Sequence, residues 1–311
     1  MTERKVVLLG PQAPQPIVGA VVEELVGRAP VAVITAGWQE WESDLAGLYS
    51  QLGDRMVSLR LYERAEAIWA RDTDLREEHR RAQRDLRAIR ERYAGQLERA
   101  AEAWMELLRD DGPEHIVQPE RDAALAAIQR LDAHHVRRIE EVKADFRERT
   151  KLTRRPAVVR ARDAVLRDLE GTEAVVIEGG HAAVLHNRIT LFDLVDELRQ
   201  RIVVGCAAGA MVVCSRVVLY NDSPAIGRGN AEVGLPGLGL IQGVVALPDA
   251  AHRLRIDDVR RMRRLALRLA PDRCALLDAG DRLDFLGDVP SGRGSRLIHP
   301  DGTLSPWVAA A

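Results

Sequence analysis

The stretch most able to do chemistry is Ile202-Val203-Val204-Gly205-Cys206-Ala207-Ala208-Gly209-Ala210. An apolar strand runs into a cluster of small residues and then into a short helical segment. A strand that turns abruptly into a helix, with small residues on both sides, is the pattern of a nucleophile elbow. Small residues are needed because the central residue is strained and its neighbours pack closely. The helix N-terminus behind such a turn offers N–H groups to a developing oxyanion. Cys206 lies beside that turn and is weighed as a nucleophile against a small buried core residue, the reading that prevails. Cys214 and Cys274 read as core.

Other candidates are scattered. His181 directly follows Gly179-Gly180 at the end of an apolar run, where open α/β sheets bind ligands. His186 follows it, and His134-His135 falls on a long helix without the i, i+4 spacing of a ligand pair. The segment His252 to Arg268 carries Arg253, Arg255, Arg260, Arg261, Arg263, Arg264 and Arg268. Such a cluster could hold an acidic peptide or phosphate. Asp257 and Asp258 offset it, and a solvated helix face is the default. No metal site is expected.

Positioning these residues requires elements, and the apolar runs supply them. Lys5 to Leu9, Val31 to Thr35 and Met56 to Leu61 read as buried strands, with a helix over Ile17 to Val26. From Asp72 to about Asp110 the chain is charged and periodic. Leu75, His79, Ala82, Leu86, Ile89, Tyr93, Leu97, Ala100, Trp104 and Leu108 recur at spacings of three and four, the seam of a long coiled-coil helix. Asp110-Asp111-Gly112-Pro113 breaks it. A second long helix follows from about Pro119 to Thr150. The pair forms an antiparallel hairpin, and a helix of about 39 residues extends roughly 58 Å. The hairpin is expected to project beyond its domain and to be covered by a partner or a second copy. Trp38 and Trp41, after the second strand, read as a surface patch or local packing.

After Pro156 the βα alternation resumes. It gives a helix over Ala157 to Leu169, a strand Ala174 to Ile177, a helix around Leu191 to Arg199 and a strand Arg201 to Val204. A helix or turn over Met211 to Cys214 and a loop from Asn221 to Gly239 come next. A strand Ile241 to Leu247, a basic helix Asp257 to Leu269 and a strand Cys274 to Leu277 follow, with an antiparallel edge near Leu283 and Leu297. The α/β unit is therefore split into 1–61 and 162–311, with the helical hairpin inserted at 62–161.

Composition bounds the rest. The chain has 311 residues, 46% apolar and 30% charged, with a formal net charge of -2. That supports a large core and gives no global argument for nucleic acid. No recognition motif appears and aromatics are only 4%, so nucleic-acid reading is not expected. Lys5, Lys143 and Lys151 are the only lysines, and no phosphate-binding G-x-x-x-x-G-K-[ST] motif occurs. Three cysteines without paired spacing suggest reduced thiols. No signal-like N-terminus or bilayer-length apolar run is present, so a cytoplasmic protein without a membrane segment or cofactor is expected.

Several of these motifs resemble the cyanophycinase and dipeptidase E family of serine peptidases. That family carries G-x-S-A-G-A where this chain reads Gly205-Cys206-Ala207-Ala208-Gly209-Ala210. Gly179-Gly180 is similar to its oxyanion-hole turn, and Gly237-Leu238-Gly239-Leu240 to its G-L-G-L loop. Asp249-Ala250-Ala251-His252-Arg253-Leu254-Arg255 resembles a degraded form of its D-Q-H-F…R-x-R segment. Cys274-Ala275-Leu276-Leu277-Asp278-Ala279 resembles its G-I-G-I-D-E strand without the final acid. The resemblance spans the α/β part and not the hairpin. It implies a three-layer, mostly parallel sheet of the class I glutamine amidotransferase-like type. It also places Ala207 at the nucleophile position, where an alanine cannot attack a carbonyl.

The expected function is that of a catalytically inactive relative acting as a binding or assembly protein through its helical hairpin. Ala207, Cys206, His252 and Asp278 mark the degenerate catalytic site. Gly179, Gly180, His181, Ala208, Gly209, Arg253 and Arg255 mark a binding site for a small acidic ligand. Two alternatives are a hydrolase acting on peptides or amides near acidic residues, through Cys206 or a water-activating histidine, and a glutamine amidotransferase-like metabolite-binding subunit.

Overall fold

In the computed structural model, residues 5–222, 230–291 and 295–307 are described. The first apolar run forms strand β1 (Lys5–Leu9), followed by helix α1 (Val18–Val26), β2 (Val31–Ile34), α2 (Ala46–Leu52) and the short β3 (Met56–Ser58). The third strand stops at Ser58, because Arg60 takes a left-handed φ of 45° and starts α3 (Leu61–Arg71). The hairpin is α4 (Thr73–Leu107) and α5 (Glu114–Thr150), and α6 (Pro156–Leu169) returns the chain. Asp72 caps α4 by accepting from Leu75 N at 3.0 Å. Then come β4 (Ala174–Ile177), α7 (Ala182–Leu191), α8 (Val195–Arg199), β5 (Ile202–Cys206) and α9 (Ala208–Val213). The helix expected around Leu191 to Arg199 is thus two helices, divided at Asp193, whose φ is 53°.

The last third holds β6 (Arg216–Leu219), β7 (Glu232–Pro236), β8 (Val244–Pro248), α10 (Ala250–Arg253), α11 (Val259–Leu269) and β9 (Arg273–Leu277). It ends in β10 (Arg282–Leu286), β11 (Val289–Ser291), β12 (Arg296–Ile298) and β13 (Leu304–Pro306). Part of the expected loop from Asn221 to Gly239 is strand β7, which pairs antiparallel with β6. Residues 223–229 of that loop lie outside the described residues.

The main sheet has seven strands in the order β11-β10-β1-β5-β4-β2-β3. Its five central and outer strands from β1 to β3 run parallel, and β10 and β11 are antiparallel. A second sheet, β13-β12-β9-β8, contains the parallel pair β8 and β9. The expected edge near Leu283 and Leu297 is therefore divided: Leu283 sits on β10 in the main sheet and Leu297 on β12 in the second. The turn Asp278 to Asp281 carries the chain from one sheet to the other, with Gly10 N donating to Asp281 O at 3.1 Å. The molecule is a mixed α/β protein with a mostly parallel main sheet and a long helical hairpin.

The hairpin packs along part of its length against its own chain. Gln129 Nε2 donates to Leu267 O at 3.1 Å. Tyr93, Leu97, Trp104 and Ile128 form a buried cluster with Leu267 packed against it. At the centre, Arg268 on α11 makes two hydrogen bonds to Asp132 on α5, Nε to Oδ2 at 2.9 Å and Nη2 to Oδ1 at 2.8 Å. The Tyr93 hydroxyl donates to Asp132 Oδ1 at 2.7 Å and accepts from Val233 N on β7 at 3.0 Å. The seam read as a self-contained coiled coil thus also meets β7 and α11. The chain's own α/β body covers part of the hairpin expected to await a partner or a second copy. The cause is that α4 and α5 carry apolar and hydrogen-bonding groups beyond the seam, and the α/β body supplies their complements.

Candidate functional site

Strand β5 is buried between β1 and β4, and its end sets the elbow. Ala207 follows it with φ 49° and ψ −113°, a conformation costly for any residue with a Cβ. The turn is held from several sides. Ala207 N donates to Leu9 O at 3.0 Å, and Met211 N donates to Ala207 O at 3.2 Å. A Cβ on Gly209 would lie 1.9 Å from Ile177 O, so only glycine lets α9 approach β4 this closely. Gly180, at φ 95°, likewise lies against Gly37 O, and a Cβ on Gly179 would come within 3.1 Å of the Ala207 Cβ. The elbow and the glycine turn are thus neighbours in space.

Both open into a cleft of about 850 Å³ at the carboxyl ends of the parallel strands. Of the residues expected to form a site, Gly180, His181, Ala207, Ala208 and Arg253 line it together. His181 is exposed there; its backbone N–H donates to Gly37 O at 2.8 Å and its ring caps α7. Arg253 lies over the ring of Tyr220, 5.4 Å from the centroid. Gly179 and Gly209 are buried beneath the surface they shape.

The remaining candidates are elsewhere. Cys206 is fully buried and packs with Leu9, Val204, Val18 and Val22 on the face covered by α1 and α2. Burial, and next the Glu178 carboxyl, push its thiol well above the ordinary value. Its position therefore gives no support to a thiolate nucleophile. His252 is 85% exposed, and its Nδ1 lies 2.7 Å from Asp249 Oδ1. Asp278 is structural in its contacts: Oδ1 accepts from Ala251 N at 2.8 Å and Oδ2 from Arg296 Nη2 at 2.6 Å. Arg255 lines a separate recess of about 360 Å³ beside α11 and donates its backbone N–H to Asp222 Oδ2. His186 is buried, with Lys143 Nζ 3.3 Å from its Nδ1. Burial, then Lys143, lower its pKa to about 3, and burial brings Lys143 down to about 8. His135 is buried and stacked on Tyr93 with centroids 3.9 Å apart. Among the described residues, no three His, Cys, Asp or Glu side chains are grouped to hold a metal ion.

Sequence reasoning missed the other wall. Arg90 on α4, together with Tyr220, Asn230 and Glu232, lines the same cleft. Arg90 is one charged residue among many on a long helix, and nothing in its local sequence distinguishes it. Only the docking of the hairpin onto β7 brings it there.

The fold and this cleft define an α/β protein with a strained strand-to-helix elbow in a ligand-sized opening. No family model matches the chain, and no curated protein matches it. A solved structure described as a peptidase from an acI-B1 Actinobacterium aligns over 99% of this chain and 96% of its own, at 12% identity and a TM-score of 0.46. A likeness of that degree assigns no activity. No helix among the described residues is long and apolar enough to cross a membrane.

Proposed function

We propose that this chain is a non-catalytic relative of the cyanophycinase and dipeptidase E peptidases, built on a class I glutamine amidotransferase-like fold, and that it binds a small acidic ligand in the cleft at the elbow. The observation that carries this reading is Ala207, held at φ 49° and ψ −113° on the cleft wall with only a methyl group to present. A methyl has no lone pair with which to form an acyl bond. Its strained backbone costs about 1–3 kcal/mol and persists only where the surroundings over-determine it. The elbow is therefore intact as architecture and empty as chemistry. Neither candidate among the described residues takes over: Cys206 is buried on the other face, and the His252 ring is turned to Asp249. The Arg253 guanidinium, stacked on Tyr220, is the group suited to a carboxylate.

The test compares wild type, Ala207→Ser and Cys206→Ala on aspartyl dipeptides, β-linked aspartyl-arginine peptides and glutamine, by calorimetry and amino-acid release. Wild type is expected to bind an aspartyl dipeptide without releasing product, and Cys206→Ala to behave identically. Ala207→Ser should retain binding and release little, since a hydroxyl alone has no positioned base. Turnover by wild type that Cys206→Ala abolishes would sink the proposal. So would wild type that binds none of the three probe classes.

A further inference from the structure

The hairpin contributes a charged side chain to the cleft. Arg90 lines it beside Glu232, the first residue of β7, and donates from Nε to Glu232 Oε2 at 3.0 Å. This is a single-point contact. Among the described residues, the two terminal amino groups of the guanidinium have no hydrogen-bond partner. The Arg90 side chain is 56% exposed and that of Glu232 24%. Exposed ion pairs of this kind contribute little to stability, so holding the fold together does not account for the placement.

The mount beneath it is rigid. Tyr93 lies one turn further along α4, and its hydroxyl accepts from Val233 N, the residue after Glu232. That hydroxyl is tied in turn to Asp132 and Arg268. Helix and strand are thus locked in register one residue from the ion pair. Glu232 engages Arg90 through Nε and leaves the Nη1 and Nη2 groups available on a residue that lines the cleft. A guanidinium edge of two parallel N–H groups matches a carboxylate. The second cation of the cleft, Arg253, makes no ion pair among the described residues.

We infer that Arg90 is a specificity-determining residue of the cleft, positioned by Glu232, and that it takes a second carboxylate of a ligand whose first carboxylate is held at Arg253. The ligand class is a small dicarboxylate. This rests on the binding reading above. It assigns the hairpin a part in recognition that neither the elbow nor the glycine turn supplies.

The test is calorimetric titration with aspartyl-leucine, which has two carboxylates, and asparaginyl-leucine, which has one. Wild type is expected to bind the aspartyl peptide about tenfold more tightly, the scale of a charge-assisted hydrogen-bond pair. Arg90→Gln should weaken aspartyl-leucine to the asparaginyl level and leave asparaginyl-leucine unchanged. Glu232→Gln should reduce the preference by about threefold, through loss of orientation rather than of charge. If Arg90→Gln proves unstable, Arg90→Lys keeps the charge without the fork and should give an intermediate preference. Should Arg90→Gln keep the wild-type preference, or weaken both peptides equally, the assignment is wrong while the binding reading stands. Should wild type bind neither peptide, the binding reading itself fails.

Discussion

Glu178 and Cys206 face each other beneath the elbow, and burial acts on both in the same direction. The Glu178 carboxyl is 6% exposed, and its Oε1 has no hydrogen-bond partner. Burial raises its pKa above the ordinary 4.5, against hydrogen bonds from Cys206 and Gly179 that lower it. The sign of the linkage follows. A carboxyl whose folded pKa is raised favours the fold while both states are protonated, below about pH 4.5. It loses that contribution as pH rises through the folded pKa, because the unfolded chain ionises first. Glu178→Gln removes the ionisation. The variant should match wild type near pH 4 and exceed it in stability at pH 7, read from urea midpoints at the two values. Equal midpoints at pH 7 would show that burial does not raise the Glu178 pKa in the fold. Ala207 makes a second case. Glycine relieves strain of about 1–3 kcal/mol and adds about 0.5–1 kcal/mol of chain entropy to the unfolded state. Ala207→Gly should therefore stabilise by about 1 kcal/mol in denaturant titrations. The elbow was legible from its small residues, because close approach leaves a mark on composition. The structural tie of Asp278 was not, since its partner Arg296 lies 18 residues further along the chain and meets it only through the fold.

At the scale of elements, the hairpin shows what periodicity carries and what it omits. Spacings of three and four gave both long helices, and the mutual packing of α4 and α5 follows from their seams. Which further faces are buried depends on pairs far apart in the chain: Tyr93 and Asp132 are 39 residues apart, and Asp132 and Arg268 136. No local window contains such a pair. The triad also ranks the contacts that dock the hairpin. Arg268 and Asp132 are nearly fully buried, at 7% and 3% side-chain exposure. Removing one partner of a buried pair leaves an uncompensated charge and costs about 3–5 kcal/mol. Asp132→Ala should fall in that range. Tyr93→Phe, which leaves Val233 N without its acceptor, should cost about 1–3 kcal/mol. Glu141→Gln, whose pair with Arg138 is half exposed, should change stability by less than about 0.5 kcal/mol. Denaturant titrations of the three variants check the order. A loss in Asp132→Ala no larger than in Glu141→Gln would mean that the triad does not hold the hairpin.

At the scale of the whole molecule, the question is whether two sheets and a hairpin behave as one unit. One buried cluster contains Leu8 and Val203 of the main sheet, Val245 and Leu276 of the second, and Ile139 and Phe146 of the hairpin. A contiguous core of this kind favours a single cooperative transition, even though chains of this length often populate intermediates. The cysteines are built-in reporters. Cys206 lies on β5 in the main sheet, Cys274 on β9 in the second, and Cys214 just after α9, with its Sγ 3.3 Å from Ala210 O. All three are free and buried. Burial pushes Cys214 and Cys274 to about 12 and Cys206 well above its ordinary value. At pH 8 the native thiols are therefore both protonated and inaccessible, and labelling needs opening. A disulfide reagent at pH 8 should leave the native protein unmodified for as long as it stays folded, and should modify all three cysteines in concentrated guanidinium. At intermediate denaturant, with labelling faster than refolding, mass spectrometry should find molecules with no label or with three. A population carrying label on Cys274 and Cys214 but not on Cys206 would show that the second sheet opens before the main sheet. The shared core would then be divided in energy, though continuous in space.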